Sequence, residues 1–397
     1  MSSLVKKPAF IVFALLTLIG VGCCIFQLAN GLGVTGMNNS NSWGLYITLF
    51  MFFVGLSAGG LIVASSAHVF HIEAFKQVAV PAVIVSLVSI CVAGMFVLVD
   101  LGGVQRIWRM LTGLNFTSPL AWDMIVITCY IVINVLDLVW LTKGDHRKVE
   151  VLSRVALPVA ILVHSVTAWI FGLQIAKAWY SAIMAPIFVA SACDSGLALL
   201  LIALLILNKV GLFKFDAALM KSLAGLLACF IAVDAFFIGC ECLTMGYPGG
   251  HEAHALGIMA SGVTAPFFWA EILCGLLTPF CILVFAKNRG NSKLVAIACV
   301  LVVLGVFCKR VWLLFTSFVT PNVLGGPGIT TGSAAAQVDA GAVWTTLGTY
   351  APTLPEVVIA IGVVSLGIAA AMVLSTVLLG GKSDESAAAD TAKAIVA

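Results

Sequence analysis

The sequence predicts an all-α polytopic membrane protein of about ten transmembrane helices, and three observations carry that expectation. Of 397 residues, 62% are hydrophobic and 9% charged, with mean hydropathy +1.16, whereas a soluble domain carries about 25% charged residues. Apolar stretches occur at 9–30, 43–70, 77–101, 119–142, 152–176, 184–208, 218–245, 264–286, 293–318 and 354–380; each is long enough to cross a bilayer core of about 30 Å. With ten spans, Lys7, Lys76, Lys143, Lys148, Lys214, Lys287, Lys293 and their basic neighbours share one side, and Arg106, Arg109 and Lys177 fall in loops on the other. An eight- or nine-span count scrambles this segregation. The positive-inside rule then sets both termini in the cytoplasm of a multi-pass cell-membrane protein.

The chain start, MSSLVKKP before an apolar run, resembles a secretory signal, but no A-x-A-like site follows and the run is long enough to span. Residues 1–42 are therefore expected to be an uncleaved first helix and an outer loop. Within that loop, Gly31–Gly36 (GLGVTG) matches G-x-G-x-x-G formally. It follows a membrane span, with no strand before it, so a dinucleotide site is not expected. Gly55–Gly60 (GLSAGG) in the second span reads as a close helix contact. The spans also repeat. Trp43 with Ser57-Ala58-Gly59 parallels Trp179 with Ser195-Gly196, and TSPLAWD (Thr117–Asp123) parallels TAPFFWAE (Thr264–Glu271). Two repeated four-helix bundles follow, 43–176 and 177–318, flanked by helices one and ten. Outer loops are expected at 31–42, 102–118, 177–183, 246–263 and 319–353, the tenth helix ends 319–380, and 381–397 reads as a disordered tail. The twelve cysteines lie almost all in apolar runs and show no zinc or iron–sulfur spacing, so they read as small hydrophobes.

Titratable groups inside the spans point to chemistry. His164 and Asp194 sit near the middles of consecutive apolar runs that must run antiparallel. A carboxylate at that depth costs at least ~2.5–3.5 kcal/mol and normally faces the bundle interior. The pair is either a buried hydrogen bond that fixes packing or a proton-accepting pair. Asp100, Arg106, Arg109 and Asp123 gather near the outer end of the same bundle, among Trp43, Tyr46, Trp108, Trp122 and Trp169. Such a mixture suits a quinone headgroup, whose two oxygens need hydrogen bonds and whose protons leave as its electrons do. His164 and Asp194 are the expected catalytic pair, with Asp123, Arg106, Asp100, Tyr46 and Trp122 as further quinone-binding residues. In the second bundle, Asp234, Glu241, Glu271, Lys309 and Arg310 either neutralise one another or, through Asp234, Glu271, Lys309 and Arg310, form a proton path. No metal site is expected, and with one histidine deep in a span no haem is expected either. A redox role then requires a partner.

The segments SWGLYITLFMFFVGLSAGG, NFTSPLAWD, HSVTAWIFGLQIAKAWYSAIMAPIFVASACDSG and APFFWAEILCGLLTP resemble the NrfD/PsrC family over about Ser42–Phe318. The resemblance implies a cofactor-free membrane subunit that exchanges electrons between menaquinone or ubiquinone, near the outer face, and an iron–sulfur (ferredoxin-like) subunit. That partner is usually linked to a molybdopterin catalytic subunit. His164 and Asp194 match the family's His and Asp on consecutive helices, and Asp123 the carboxylate of its S-P-x-x-W-D motif. Some members have eight spans; this sequence looks like the ten-span form. An ion- or proton-coupled secondary transporter is the competing class, and a structural anchor without a working quinone site is a third. The expected partners are these subunits and the lipid bilayer, with no nucleic acid.

Overall fold

A computed structural model describes residues 7–38, 41–174, 177–249, 251–319 and 350–396. Among them, ten helices are long and apolar enough to cross a membrane. They are α1 (Pro8–Asn30), α2 (Leu45–Val69), α3 (Ala79–Asp100), α4 (Pro119–Lys143), α5 (His146–Gly172), α6 (Met184–Val210), α7 (Ala217–Gly246), α8 (Ala265–Leu283), α9 (Ser292–Val319) and α10, whose apolar part is Leu354–Gly380. Tight, short connections join α4 to α5 and α6 to α7, where Gly144 (φ 71°) and Gly211 (φ 80°) close the preceding helix in the left-handed conformation. Glycine adopts that conformation without a Cβ clash. These turns lie on the face rich in lysine and arginine, the basic face. The longer connections lie on the opposite, long-loop face.

Helix α2 packs on α3 and α5, α4 on α5 and α3, and these four close a ring; α6 packs on α7 and α9, and α8 on α9 and α7, in a second ring. The rings meet where α2 lies along α6, and α10 binds α1 to the flank of α3. Bare glycines set these crossings. A Cβ on Gly59 of α2 would stand 2.1 Å from the carbonyl carbon of Gly196 of α6, and one on Gly20 of α1 would stand 2.6 Å from Cα of Gly362. Lipid tails offer helices no hydrophobic drive to associate, so close backbone packing of this kind holds membrane helices together.

The structure departs from the sequence reading at several places. Helix α5 begins at His146, six residues before the expected 152, because Asp145 caps the charged first turn by accepting from the Lys148 amide at 3.3 Å. Hydropathy does not see a charged turn. The outer stretches 102–118 and 246–263 contain short helices, Trp108–Thr112 and His251–Ser261. The expected disordered tail is instead helical to Val396, continuous with α10; its alanines are the strongest helix formers. Most of the expected loop 319–353 lies outside the described residues. In α8, residues Ala270–Leu277 form a π-helical segment.

Candidate functional site

The buried polar groups fall into three clusters, each placed by helix geometry. In the first, α5 carries His164 and Thr167 three residues apart, hence on one face. Pro158 lies inside the same helix, six residues before His164; it lacks the N–H that would bond one turn back, which loosens the ladder there. Thr167 Oγ1 donates to Asp123 Oδ1 of α4 at 2.6 Å. His164 is buried and its Nε2 has no hydrogen-bond partner; Asp194 is fully buried and neither carboxylate oxygen has one. Arg310 of α9 reaches between the rings. Its Nη2 donates to Ser191 Oγ at 2.8 Å, its guanidinium lies 4.0 Å from the Phe188 ring centroid, and its Nε and Nη1 are unpartnered. Gly55 of α2 faces it: a Cβ there would stand in ordinary contact with Nη2, at 3.4 Å. The Arg310 charge acts on both His164 and Asp194. An imidazole, a carboxylate and a guanidinium thus lie buried and linked electrostatically through Arg310, each with polar atoms that no protein group meets.

In the second cluster, Lys309 Nζ donates to both Asp234 oxygens of α7, at 2.8 and 2.9 Å, and lies 3.3 Å from Glu271 Oε1 of α8. The Trp312 indole N–H donates to Glu271 Oε2. The π-helical segment brings Glu271 inward while Trp269 faces outward; π segments often mark functional positions in helices. Lys309 and Trp312 are spaced on α9 as His164 and Thr167 are on α5, and each tryptophan or threonine donates to a carboxylate on the neighbouring helix.

The third cluster lies at the long-loop face, between α1, α2, α3 and α10. Tyr46 donates to Gln27 Oε1 at 2.6 Å, and Gln27 Nε2 donates to the Val99 carbonyl at 3.1 Å. Glu356, fully buried, accepts from the Gly36 amide, the Tyr350 hydroxyl and the Thr353 amide, each at 2.8 Å. Its carboxylate ties the connection after α1 to the start of α10. Asp100 sits beside this cluster with Oδ1 buried and unpartnered.

The sequence-predicted residues therefore divide. His164 and Asp123 lie within the α2–α5 ring, whereas Asp194 sits on α6 of the second ring, within electrostatic reach of Asp234, Lys309, Glu271 and Arg310. Tyr46 and Asp100 do not join them: Tyr46 and Gly55 are nine residues apart, about 180° around α2 at 100° per residue, so Tyr46 faces α1 while Gly55 faces Arg310. Trp122 is 47% exposed and its indole donates to the Phe116 carbonyl at 2.8 Å, on the outer surface of α4. Arg106 is exposed on a surface turn, Val104–Arg106. Of the second-bundle residues, Asp234 and Glu271 both hold Lys309, and Arg310 donates to Ser191 while lying within electrostatic reach of Asp234, Glu271 and Asp194. Consecutive residues on a helix point about 100° apart, so Lys309 donates to Asp234 and Arg310 to Ser191. At the long-loop face, Lys177 Nζ lies 4.9 Å from the Phe318 ring centroid, and burial pulls its pKa below the ordinary lysine value.

The family model described as polysulphide reductase, NrfD, matches residues 33–322. A Halobacterium salinarum protein, provisionally named as a membrane subunit of dimethyl sulfoxide reductase, is 36% identical over 387 residues, covering 90% of this chain and 87% of that one. A selenate reductase subunit of Mesobacillus selenatarsenatis is 27% identical, covering 80% of this chain and 84% of its own. The Hdr-like menaquinol oxidoreductase integral membrane subunit of Archaeoglobus fulgidus is 29% identical, covering 79% and 80%.

Proposed function

This chain belongs to the polysulphide reductase NrfD family, and from that premise we propose that it is the quinone-reactive membrane subunit of a respiratory oxidoreductase complex. The observation that carries the reading is the His164 Nε2 and the Asp194 carboxylate, buried in the middle of the helices with no hydrogen-bond partner. An unpaired buried polar group costs about 1–3 kcal/mol, and such a cost at two titratable side chains marks a site rather than a packing contact. The relatives named above as a menaquinol oxidoreductase subunit and as reductase subunits support the same reading. The substrate is a membrane quinone or quinol, which supplies or takes two electrons and two protons.

The residues present fit that substrate. A neutral imidazole accepts a hydroxyl proton and a carboxylate accepts a second. Arg310, bound to Ser191 and otherwise free to donate, holds the Asp194 charge in a low-dielectric centre. Asp123, tied to Thr167, stands between His164 and the long-loop face and passes protons in that direction. The electrons leave to an iron–sulfur partner docked on the long-loop face, over 102–118 and 246–263, which is linked in turn to a molybdopterin subunit. The linked charges Asp234, Glu271 and Lys309, with Arg310 between the rings, supply a proton path on the other side. Both termini lie in the cytoplasm. Arg106 and Trp122, facing outward, belong to the docking surface and membrane interface rather than to the headgroup.

Replacing His164 by Ala or Asp194 by Asn abolishes quinol-linked reduction of the partner while the complex still assembles, measured as quinol oxidation by purified complex of verified composition. Wild-type rates in both variants would overturn the assignment.

A further inference from the structure

Beyond the centre, the α2–α5 ring holds a second set of orphaned polar atoms that lie toward the basic face. Ser65 Oγ and His68 Nε2 of α2, Asn134 Oδ1 and Asp137 Oδ1 of α4, and Ser153 Oγ of α5 are all buried without a hydrogen-bond partner. Four of the five residues are at most 1% exposed, and His68 is 7% exposed. At 1.5 Å per residue, Ser65, Asp137, Ser153 and Asn134 lie about 6, 9, 10 and 14 Å in from the basic-face ends of their helices. They therefore lie at similar depth, on α2 and α4, each of which packs against α5, and on α5 itself. His68 stands at the rim of that layer, under electrostatic influence of Lys76, Glu73, His146 and Glu150.

Above this layer the polar groups continue toward the centre. Asn134 Nδ2 donates to the Tyr130 carbonyl at 2.8 Å, the Tyr130 hydroxyl donates to the Ser57 carbonyl at 3.0 Å, and Ser86 shares a 2.8 Å hydrogen bond with Tyr130. Ser57 lies on α2 about 200° around from Gly55, so its carbonyl meets Tyr130 inside the ring while Gly55 faces Arg310. On α4, Asp123, Tyr130, Asn134 and Asp137 recur at intervals of seven, four and three, the spacing of one helix face. That face turns inward, while Val132, Val135 and Leu136 face out.

A buried polar atom without a protein partner is normally satisfied by ordered water, which needs a polar site with several partners. Inside a bilayer such water must reach an aqueous face, because hydrocarbon supplies none. We propose that the basic-face half of the α2–α5 ring is a water-filled crevice, lined by Ser65, Asn134, Asp137 and Ser153 and opening at His68, that admits protons from the basic face toward Tyr130 and the His164–Asp194–Arg310 centre. Asp137 is the residue that exchanges protons with the water, and Asn134 links that water to Tyr130. Only the use made of the proton rests on the quinone reading; the crevice does not.

The test is thiol accessibility in the full-length chain in sealed membrane vesicles. Ser153→Cys and Ser65→Cys are treated from the basic face with a charged methanethiosulfonate, and modification is read on the corresponding peptides by mass. Both cysteines are modified, as is Lys148→Cys at the exposed start of α5, whereas the native Cys129, exposed on the outer side of α4, is not. Adding Asp137→Leu to Ser153→Cys, which fills the crevice with hydrocarbon, abolishes modification at 153 and leaves that at 148 unchanged. If both introduced cysteines are as inert as Cys129, or react only from the long-loop face, the crevice does not exist. If they react while His164→Ala retains quinol-linked electron transfer, the crevice stands and the proposed function falls.

Discussion

At the scale of the residue, the protein keeps charges where a bilayer disfavours them, and their partners decide what each is for. Lys309 is held by Asp234 and Glu271, an arrangement in which removing one partner leaves an uncompensated buried charge, at a cost of about 3–5 kcal/mol. Asp234→Asn and Lys309→Met each lower the thermal unfolding temperature in detergent. The double replacement Asp234→Leu with Lys309→Met recovers much of that loss, because a well-packed apolar pair is often as stable as a buried ion pair. The recovered double variant then isolates function. It retains quinol oxidation at the His164 centre and loses proton translocation per electron, measured in proteoliposomes. A double variant that still translocates protons at the wild-type ratio would show the Lys309 cluster to be structural. His164, Asp194 and Asp123 were legible in the sequence because a titratable residue in a long apolar run is conspicuous. Asn134, Asp137 and Tyr130 were equally present, and their single-face spacing with Asp123 was the signal that could have found them. The hydrogen bond of Arg310 to Ser191 was not legible, because sequence adjacency to Lys309 says nothing about which helix each side chain meets.

At the scale of the element, length and apolar character settled the number of helices, while their ends and contacts depended on local chemistry that hydropathy averages away. The start of α5 at a capped, charged turn and the π segment of α8 are both of that kind. Each needs one hydrogen bond or one extra residue, and neither changes mean hydropathy. The glycine run in α2 was readable as a close contact, but not its partner. That partner is the Gly196–Leu197 backbone of α6, within 2.6 Å of where a Gly59 Cβ would stand. Backbone atoms cannot rotate away, so Gly59→Ala drives the two rings apart and destabilises the chain by an overpacking cost of about 1–3 kcal/mol. Gly94 of α3 has nothing within 4 Å of a built Cβ. There the same substitution gains helix propensity of up to about 1 kcal/mol. Thermal unfolding of Gly59→Ala and Gly94→Ala in the same detergent therefore shifts in opposite directions. Equal shifts would mean that the α2–α6 crossing does not set the stability of the chain.

At the scale of the whole molecule, the two faces differ in charge and in depth to the centre, and together these orient the protein. His164 lies eight residues from the long-loop end of α5 and eighteen from the basic end, about 12 Å against 27 Å at 1.5 Å per residue. Electron transfer weakens steeply with distance, so in the proposed function a partner's redox centre is expected on the long-loop face. In the topology proposed from the positive-inside rule that face lies outside the cytoplasm, since only Arg106, Arg109 and Lys177 lie on it among the basic residues of the loops. Lys177 makes the orientation measurable. Its lowered pKa raises the fraction of neutral, nucleophilic amine at a given pH, so it acylates at lower pH than an exposed lysine of ordinary pKa. In intact cells lacking the partner subunits, a membrane-impermeant amine reagent modifies Lys177 and spares Lys148, Lys214, Lys287 and Lys293; in inside-out vesicles the pattern inverts. When the partner is present, Lys177 is shielded and crosslinks from the iron–sulfur protein concentrate on 102–118 and 246–263. Protection confined to the basic face would reverse the topology, and with it the direction proposed for proton transfer through Asp123.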